Sequence, residues 1–318
     1  MSFELILPFL RPIEHLILDP DITEIMVNGS RRVFIERAGL LEEAPNVHVD
    51  ERNLKVAVKN IARALGDDVS EEKPILDSRL PDGSRVAAVF PPCSVGGTTL
   101  TIRKFRTKFF TADELVRIGT MTPEVLGHVK AAIQANQNIL ISGGTSTGKT
   151  TLLNALAAFL PTVDRVVLIE DTAELQIDRP NLVRFEARRE QAGVPAVTIR
   201  DLLRATLRHR PDRIILGEVR GGEAFDLLQA LNTGHSGTLS TIHANSAEQA
   251  LARFSSCVVQ SGIDLPYQAI RHQIADAIDL VLHLARVKGT RVVKQLLRIG
   301  RYDPVSDGYE QDNVDSNR

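Results

Sequence analysis

The sequence has no tryptophan, three tyrosines and two cysteines among 318 residues, and aromatic residues reach only 4%. The cysteines, Cys93 and Cys257, stand too far apart for a C-x-x-C metal knuckle and give no disulfide framework. Both are expected to be small buried hydrophobes, and their scarcity fits a reducing cytoplasm. No apolar run approaches the ~18 residues of a membrane span. Residues 1–18 are apolar, but Glu4, Arg11 and Glu14 interrupt them and no basic leader precedes them, so they do not read as a signal peptide. Charge of one sign is also lacking. Against 40 acidic residues stand 38 basic ones, a net charge of −2, which is a poor electrostatic footprint for a dedicated nucleic-acid binder. There is no internal repeat and no low-complexity block.

What is present is globular: 43% hydrophobic and 25% charged residues. The length suggests roughly two domains, and a chain of this size can bury about three-quarters of its extended surface without disulfides or structural metals. The first hundred residues read as a small α+β domain. Ile25-Met26-Val27, Asn28-Gly29 and Val33-Phe34-Ile35 form a hairpin signal, because Asn-Gly supplies positive φ. Asp50 caps a helix with one apolar stripe, Leu54, Val58, Ile61 and Leu65, which Gly66 ends. Asp82-Gly83 opens a second hairpin pattern, 84–90 and then 98–105. The organisation expected is an N-terminal α+β domain over 1–106, a linker over 107–121, an α/β domain over 122–302 and a flexible tail over 303–318.

The second half changes character. Thr122-Pro123 starts a helix to about Ala135. Four short apolar runs follow, 139–141, 166–169, 214–216 and 239–242, separated by helical patterns. Continuous apolar strands between helices indicate a mainly parallel sheet covered on both faces.

The first of these runs leads into Gly143-Gly144-Thr145-Ser146-Thr147-Gly148-Lys149-Thr150. This is G-x-x-x-x-G-K-T between a strand and a helix. Glycines let the backbone turn its N–H groups around phosphate oxygens, and the helix N-terminus adds partial positive charge. Lys149 would contact the β- and γ-phosphates of ATP, and the Thr150 hydroxyl would bind Mg²⁺.

Ligands of an open parallel sheet bind beyond the carboxyl ends of its strands. There stand Glu170-Asp171-Thr172-Ala173-Glu174, Gly217-Glu218-Val219-Arg220 and His243-Ala244-Asn245. Glu218 holds the position of the second acidic motif of P-loop proteins, beside Mg²⁺. Glu174 is the preferred base for the attacking water, with Glu170 and Asp171 as competitors. His235 and His243 flank one strand and are expected to sense the γ-phosphate or the next subunit. Arg200, Arg204 and Arg208 form a basic stripe at i, i+4, i+8, either a solvated face or a subunit interface. Arg85 and Arg103, out of phase with their apolar neighbours, are candidates to reach a nucleotide held by another domain or subunit.

On these residues the sequence resembles the ATPases of type II and type IV secretion and pilus systems. The resemblance rests on GGTSTGKT, the acidic box IEDTAE, the atypical motif IILGEVRGGEAFD and the histidine box TGHSGTLSTIHAN. The phrases DPDITEIMVNG and LPDGSRVAAVFPP…GGTTLTIRKF look most like the tight-adherence pilus and conjugation branch. The resemblance implies a RecA-like P-loop domain and a hexameric, Mg²⁺-dependent ATPase ring. The implied nucleotide contacts run from Gly143 to Thr151. Glu174 is implied as the catalytic acid of its box, Glu218 as the second acidic residue, His235 and His243 as the histidine box, and Arg85 and Arg103 as interface arginines. It further implies a cytoplasmic protein, peripheral at the inner membrane through platform partners rather than inserted. A zinc motif of four cysteines found in a sister branch is missing here. A DNA-translocating motor and a small-molecule kinase are the alternatives.

Overall fold

The structure is a computed structural model that describes residues 6–37, 39–105, 109–188, 190 and 194–314. The chain divides into two compact units, Met1–Lys108 and Phe109–Arg318.

The first unit is a sheet with a helical cover. Its strands are β1 (Ile22–Asn28), β2 (Arg32–Arg37), β3 (Leu40–Glu43), β4 (Ile75–Arg79), β5 (Arg85–Val89) and β6 (Thr99–Arg103), in the order β3-β2-β1-β6-β5-β4. Every neighbouring pair is antiparallel. The β1–β2 hairpin turns at Gly29, whose φ is +67°, and a Cβ there would lie 2.6 Å from the Gly96 carbonyl oxygen. Two helices, α1 (Glu14–Leu18) and α2 (Glu51–Ala64), share one core with the sheet. Asp50 caps α2 by accepting from the Asn53 N–H, and Leu54, Ala57, Val58, Ile61 and Ala62 are its buried stripe. The apolar N-terminal stretch joins this core through Ile6, Leu10, Ile13, Leu16 and Ile17. Cys93 is exposed, contrary to expectation, in the proline- and glycine-rich turn between β5 and β6, whereas Cys257 is buried.

The second unit is a three-layer α/β structure. Its strands are β7 (Ile139–Gly143), β8 (Val166–Glu170), β9 (Leu182–Glu186), β10 (Arg213–Val219), β11 (Leu239–His243), β12 (Leu280–Val287), β13 (Thr290–Asp303) and β14 (Gly308–Asn313). They lie in the order β14-β13-β12-β7-β11-β10-β8-β9. Pairings from β12 to β9 are parallel, and β13 and β14 add an antiparallel edge. One face carries α3 (Ala112–Arg117), α4 (Pro123–Gln134) and α5 (Lys149–Ala157), and the other α6 (Ile199–Thr206), α7 (Glu223–Asn232), α8 (Ala247–Val259) and α9 (Tyr267–Ala277). Successive strand residues point to opposite faces. Ile139 and Ile141 therefore enter one core and Leu140 the other.

Two segments differ from their expected organisation. Much of the expected linker is α3, opened by a Thr111–Glu114 capping box, with Ala112 and Leu115 in the second unit's core. The expected tail contains β14, paired with β13. Residues 107–108 and 315–318 of those segments, and residue 106 before them, lie outside the described residues. The C-terminal edge is fastened by Arg271 of α9, which is 8% exposed. Its guanidinium carbon lies 5.7, 5.0 and 4.5 Å from the ring centroids of Tyr267, Tyr302 and Tyr309. It also donates to the Asp307 carbonyl at 3.0 Å.

Candidate active site

The loop after β7 is shaped by close approach. A Cβ on Gly143 would lie 2.6 Å from both the Leu284 carbonyl oxygen and Thr147 Oγ1. Thr147 Oγ1 donates to the Gly144 carbonyl at 2.9 Å. Gly148, at φ +97°, is the N-cap of α5. Thr145, Ser146 and Thr147 lie between these glycines, and Thr150 and Thr151 are on the first turn of α5, where helix N–H groups have no intrahelical partner. Loop and helix start thus present a concentrated set of donors to an anion.

Lys149 opens α5 yet is only 7% exposed. Its Nζ donates to the Gly143 and Gly144 carbonyls at 3.0 and 2.9 Å and lies 3.4 Å from both ring nitrogens of His243. Burial pulls its pKa below the ordinary lysine value, and the nearby Glu218 opposes that. His243 ends β11, which pairs with β7 at Gly143. Its pKa is lowered first by burial, then by Lys149, Arg220 and Arg253, while Glu218 raises it.

Glu218 reaches this group through an irregularity. Leu216 pairs with Ser240 and Val219 with Ile242, so β10 fits one extra residue into the register. Such a bulge bends a strand and re-aims its side chains. The Glu218 carboxylate lies 2.8 Å from His243 Nε2 on one oxygen, and its other oxygen is 2.7 Å from Arg220 Nη2. Arg220 Nη1 donates to Asp171 at 3.1 Å. Lys149, His243, Glu218, Arg220 and Asp171 thus form a continuous series along one sheet edge. Arg220 belongs to no sequence motif of its own; its place immediately after the acidic strand end is the signal the sequence carries.

Glu170 and Glu174 have different surroundings. Glu170, 4% exposed, accepts backbone N–H bonds from Glu174 and Leu175, both at 2.8 Å. Burial pushes its pKa up to about 6, against those hydrogen bonds and Arg184. Its carboxylate braces the loop that carries Glu174. Glu174 is half-buried and acts electrostatically on Arg220.

Within the second unit, other expected residues are not brought to this edge. His235 precedes β11 and His243 ends it. The five-residue strand between them spans roughly 15 Å, so the two histidines stand at opposite ends of the sheet. The arginine stripe breaks up as well. Arg200 and Arg204 both bind Asp226 of α7, at 2.6 and 2.9 Å. Arg208 lies beyond the end of α6, next to His209, whose carbonyl accepts from Arg165 just before β8. That is the amino edge of the sheet. In the first unit, Arg85 and Arg103 are cross-strand partners on β5 and β6. Arg85 lies 3.5 Å from Asp77, and Glu24 sits opposite Arg103 on β1.

Thr150 and Glu218 are the residues that fit Mg²⁺. Hydroxyl and carboxylate oxygens are hard ligands, and this ion is usually held by one or two such groups together with substrate phosphates.

The family profile described as type II/IV secretion system protein matches residues 9–304. The conjugal transfer protein TrbB of Rhizobium radiobacter is 37% identical over 288 residues, 89% of this chain and 85% of that protein. The type IV secretion system protein PtlH of Bordetella pertussis is 36% identical over 304 residues, 88% of this chain and 90% of that protein. Among solved structures, the VirB11 ATPase of the Brucella suis type IV secretion system is 32% identical, with a TM-score of 0.50, covering 92% of this chain and 94% of that one. The Legionella pneumophila ATPase DotB shares the fold at 20% identity and a TM-score of 0.63, covering 90% of this chain and 79% of that one.

Proposed function

The chain belongs to the type II/IV secretion system protein family, and on that premise we propose that it is the ATP-hydrolysing motor of a secretion, conjugation or pilus machine. The observation that carries this reading is the convergence of Lys149, His243 and Glu218 on the phosphate loop. The loop and α5 N–H groups, with Lys149, bind the triphosphate. Thr150 and Glu218 would hold Mg²⁺, which when bound would neutralise charge on the phosphates. Glu174 takes the proton of the attacking water, and Glu170 sets the position of the loop that carries it. His243 lies between Lys149 and Glu218 and fixes their separation.

The assembly we propose is a homohexameric ring, cytoplasmic and peripheral at the inner membrane, working with membrane platform proteins. No helix among the described residues is long and apolar enough to cross a membrane. In this ring Arg85 and Arg103 would supply positive charge to the nucleotide. The N-terminal phrases look most like the tight-adherence pilus and conjugation branch, and within it the names of the relatives from Rhizobium and Bordetella support a conjugation or type IV secretion role more than a tight-adherence one.

The test is steady-state phosphate release from Mg-ATP by the purified chain, with Lys149→Ala as reference. Release well above that variant supports the reading, and equal rates overturn it. Mass photometry with a slowly hydrolysed ATP analogue tests the ring. Salt-sensitive stimulation by single-stranded DNA would transfer the reading to a DNA-translocating motor.

A further inference from the structure

The β12–β13 hairpin is not among the sequence elements expected at the phosphate loop. β12 pairs with β7 as far as Leu284 opposite Gly143, the last residue of β7. From Ala285 onward the hairpin continues past the end of β7 and flanks the loop. Its turn is Lys288-Gly289, with φ values of +49° and +88°, between the paired Val287 and Thr290. Two consecutive positive φ values in a two-residue turn match the strand twist and make a stiff hairpin.

Arg291 leaves this hairpin toward the loop. Its Nε donates to the Ser146 carbonyl at 3.1 Å. Its Cδ would lie 3.4 Å from a Cβ on Gly148, so its stem packs over that glycine. Ser146 is itself a non-glycine residue at φ +57°, a conformation that needs support from its surroundings. Among the described residues no carboxylate lies within ion-pair distance of Arg291. A cation without a carboxylate partner is thus fastened to the tip of an anion-binding loop.

The strand order separates this arginine from the groups on the other side of the loop. β12 and β13 lie on one side of β7, while β11, β10 and β8, which bring His243, Glu218 and Glu170, lie on the other. Resting on the ATP reading above, we propose that Arg291 is a nucleotide-positioning residue. It holds Ser146, and with it the phosphate loop, in the shape that receives the diphosphate common to ATP and ADP. It takes no part in activating water, because the groups assigned to that step are on the opposite side of the loop.

The test is the affinity of the purified full chain for ADP and for a slowly hydrolysed ATP analogue, alongside kcat for ATP. Arg291→Ala should weaken both ligands by about tenfold, the scale of one charge-assisted hydrogen bond, and leave kcat within about twofold. Arg291→Lys, which keeps a cationic donor, should recover most of the affinity. Arg291→Met, which keeps only the stem, should not. Circular dichroism and thermal melting confirm that each variant is folded. Unchanged ADP affinity in folded Arg291→Ala overturns the proposal, as does full rescue by Arg291→Met, or a fall in kcat with unchanged affinity. If Lys149→Ala binds nucleotide as well as the natural chain does, the ATP reading itself falls, an outcome distinct from an indifferent Arg291→Ala beside a defective Lys149→Ala.

Discussion

His243 Nε2 and Glu218 Oε1 stand 2.8 Å apart, an approach created by the extra residue in β10. His243 also borders Lys149 Nζ, so it separates an ammonium from a carboxylate that would otherwise pair directly. Replacing it with alanine should let Lys149 collapse onto Glu218. The expected result is a fall in both kcat and ATP affinity, each by about tenfold, the scale of one charge-assisted contact, because the collapsed Lys149 no longer faces the phosphates. Steady-state kinetics and analogue binding check this. An affinity loss with normal kcat would place His243 on the binding side only.

Glu174→Gln should retain ATP binding and lose hydrolysis by at least about a hundredfold. Glu170→Gln should keep most activity, because an amide oxygen still accepts the Glu174 and Leu175 N–H bonds. Single-turnover hydrolysis separates the two. The reverse pattern would make Glu170 the base.

Glu170 also predicts a pH effect on stability. Its folded pKa of about 6 stands above the ordinary value of 4.5. A carboxyl with a raised folded pKa contributes stability that is present below the unfolded value and lost as pH rises through the folded one. Relative to Glu170→Gln, the natural chain should therefore lose up to about 2 kcal/mol between pH 4.5 and pH 7. Urea unfolding of both proteins across that range measures it. A difference that grows toward low pH instead would contradict the assignment.

Asp226 is the shared anchor of Arg200 and Arg204. Asp226→Ala should destabilise the second unit by about 1–3 kcal/mol, because it leaves the half-buried Arg200 without its carboxylate. Arg204→Ala should cost less than about 1 kcal/mol, since that arginine is 63% exposed. Thermal unfolding distinguishes them; equal costs would mean that Asp226 does not hold α6 to α7.

The elements that announce themselves in the sequence are those with strong local chemistry. The four apolar runs are strands because each is buried on both faces, and Thr122, Asp50 and Thr198 cap helices through their own hydroxyl or carboxylate. β9 was hidden because its residues are half exposed and show no clear period. β12 was hidden because only Ile278 and Asp279 separate it from α9 and His283 interrupts its apolar run. His283 is buried against Ser142, 2.9 Å from its hydroxyl, a pairing decided by register across distant strands. The phosphate loop was legible as a contiguous motif. The bulge that turns Glu218 inward, the bracing of residues 174 and 175 by Glu170 and the opposite placement of His235 depend on strand pairing, which no local pattern encodes.

The enclosure of Arg271 has a practical consequence. The chain has no tryptophan, and its three tyrosines are Tyr267, Tyr302 and Tyr309, all against that guanidinium. Tyrosine fluorescence of this chain therefore comes from one corner of the second unit. Tyr302 donates to the Asp307 carboxylate at 2.6 Å, an arrangement that quenches emission, so detachment of the C-terminal strands should brighten the signal before the rest of the fold melts. The chain carries its own optical gauge for that edge, spectrally silent toward events at the phosphate loop.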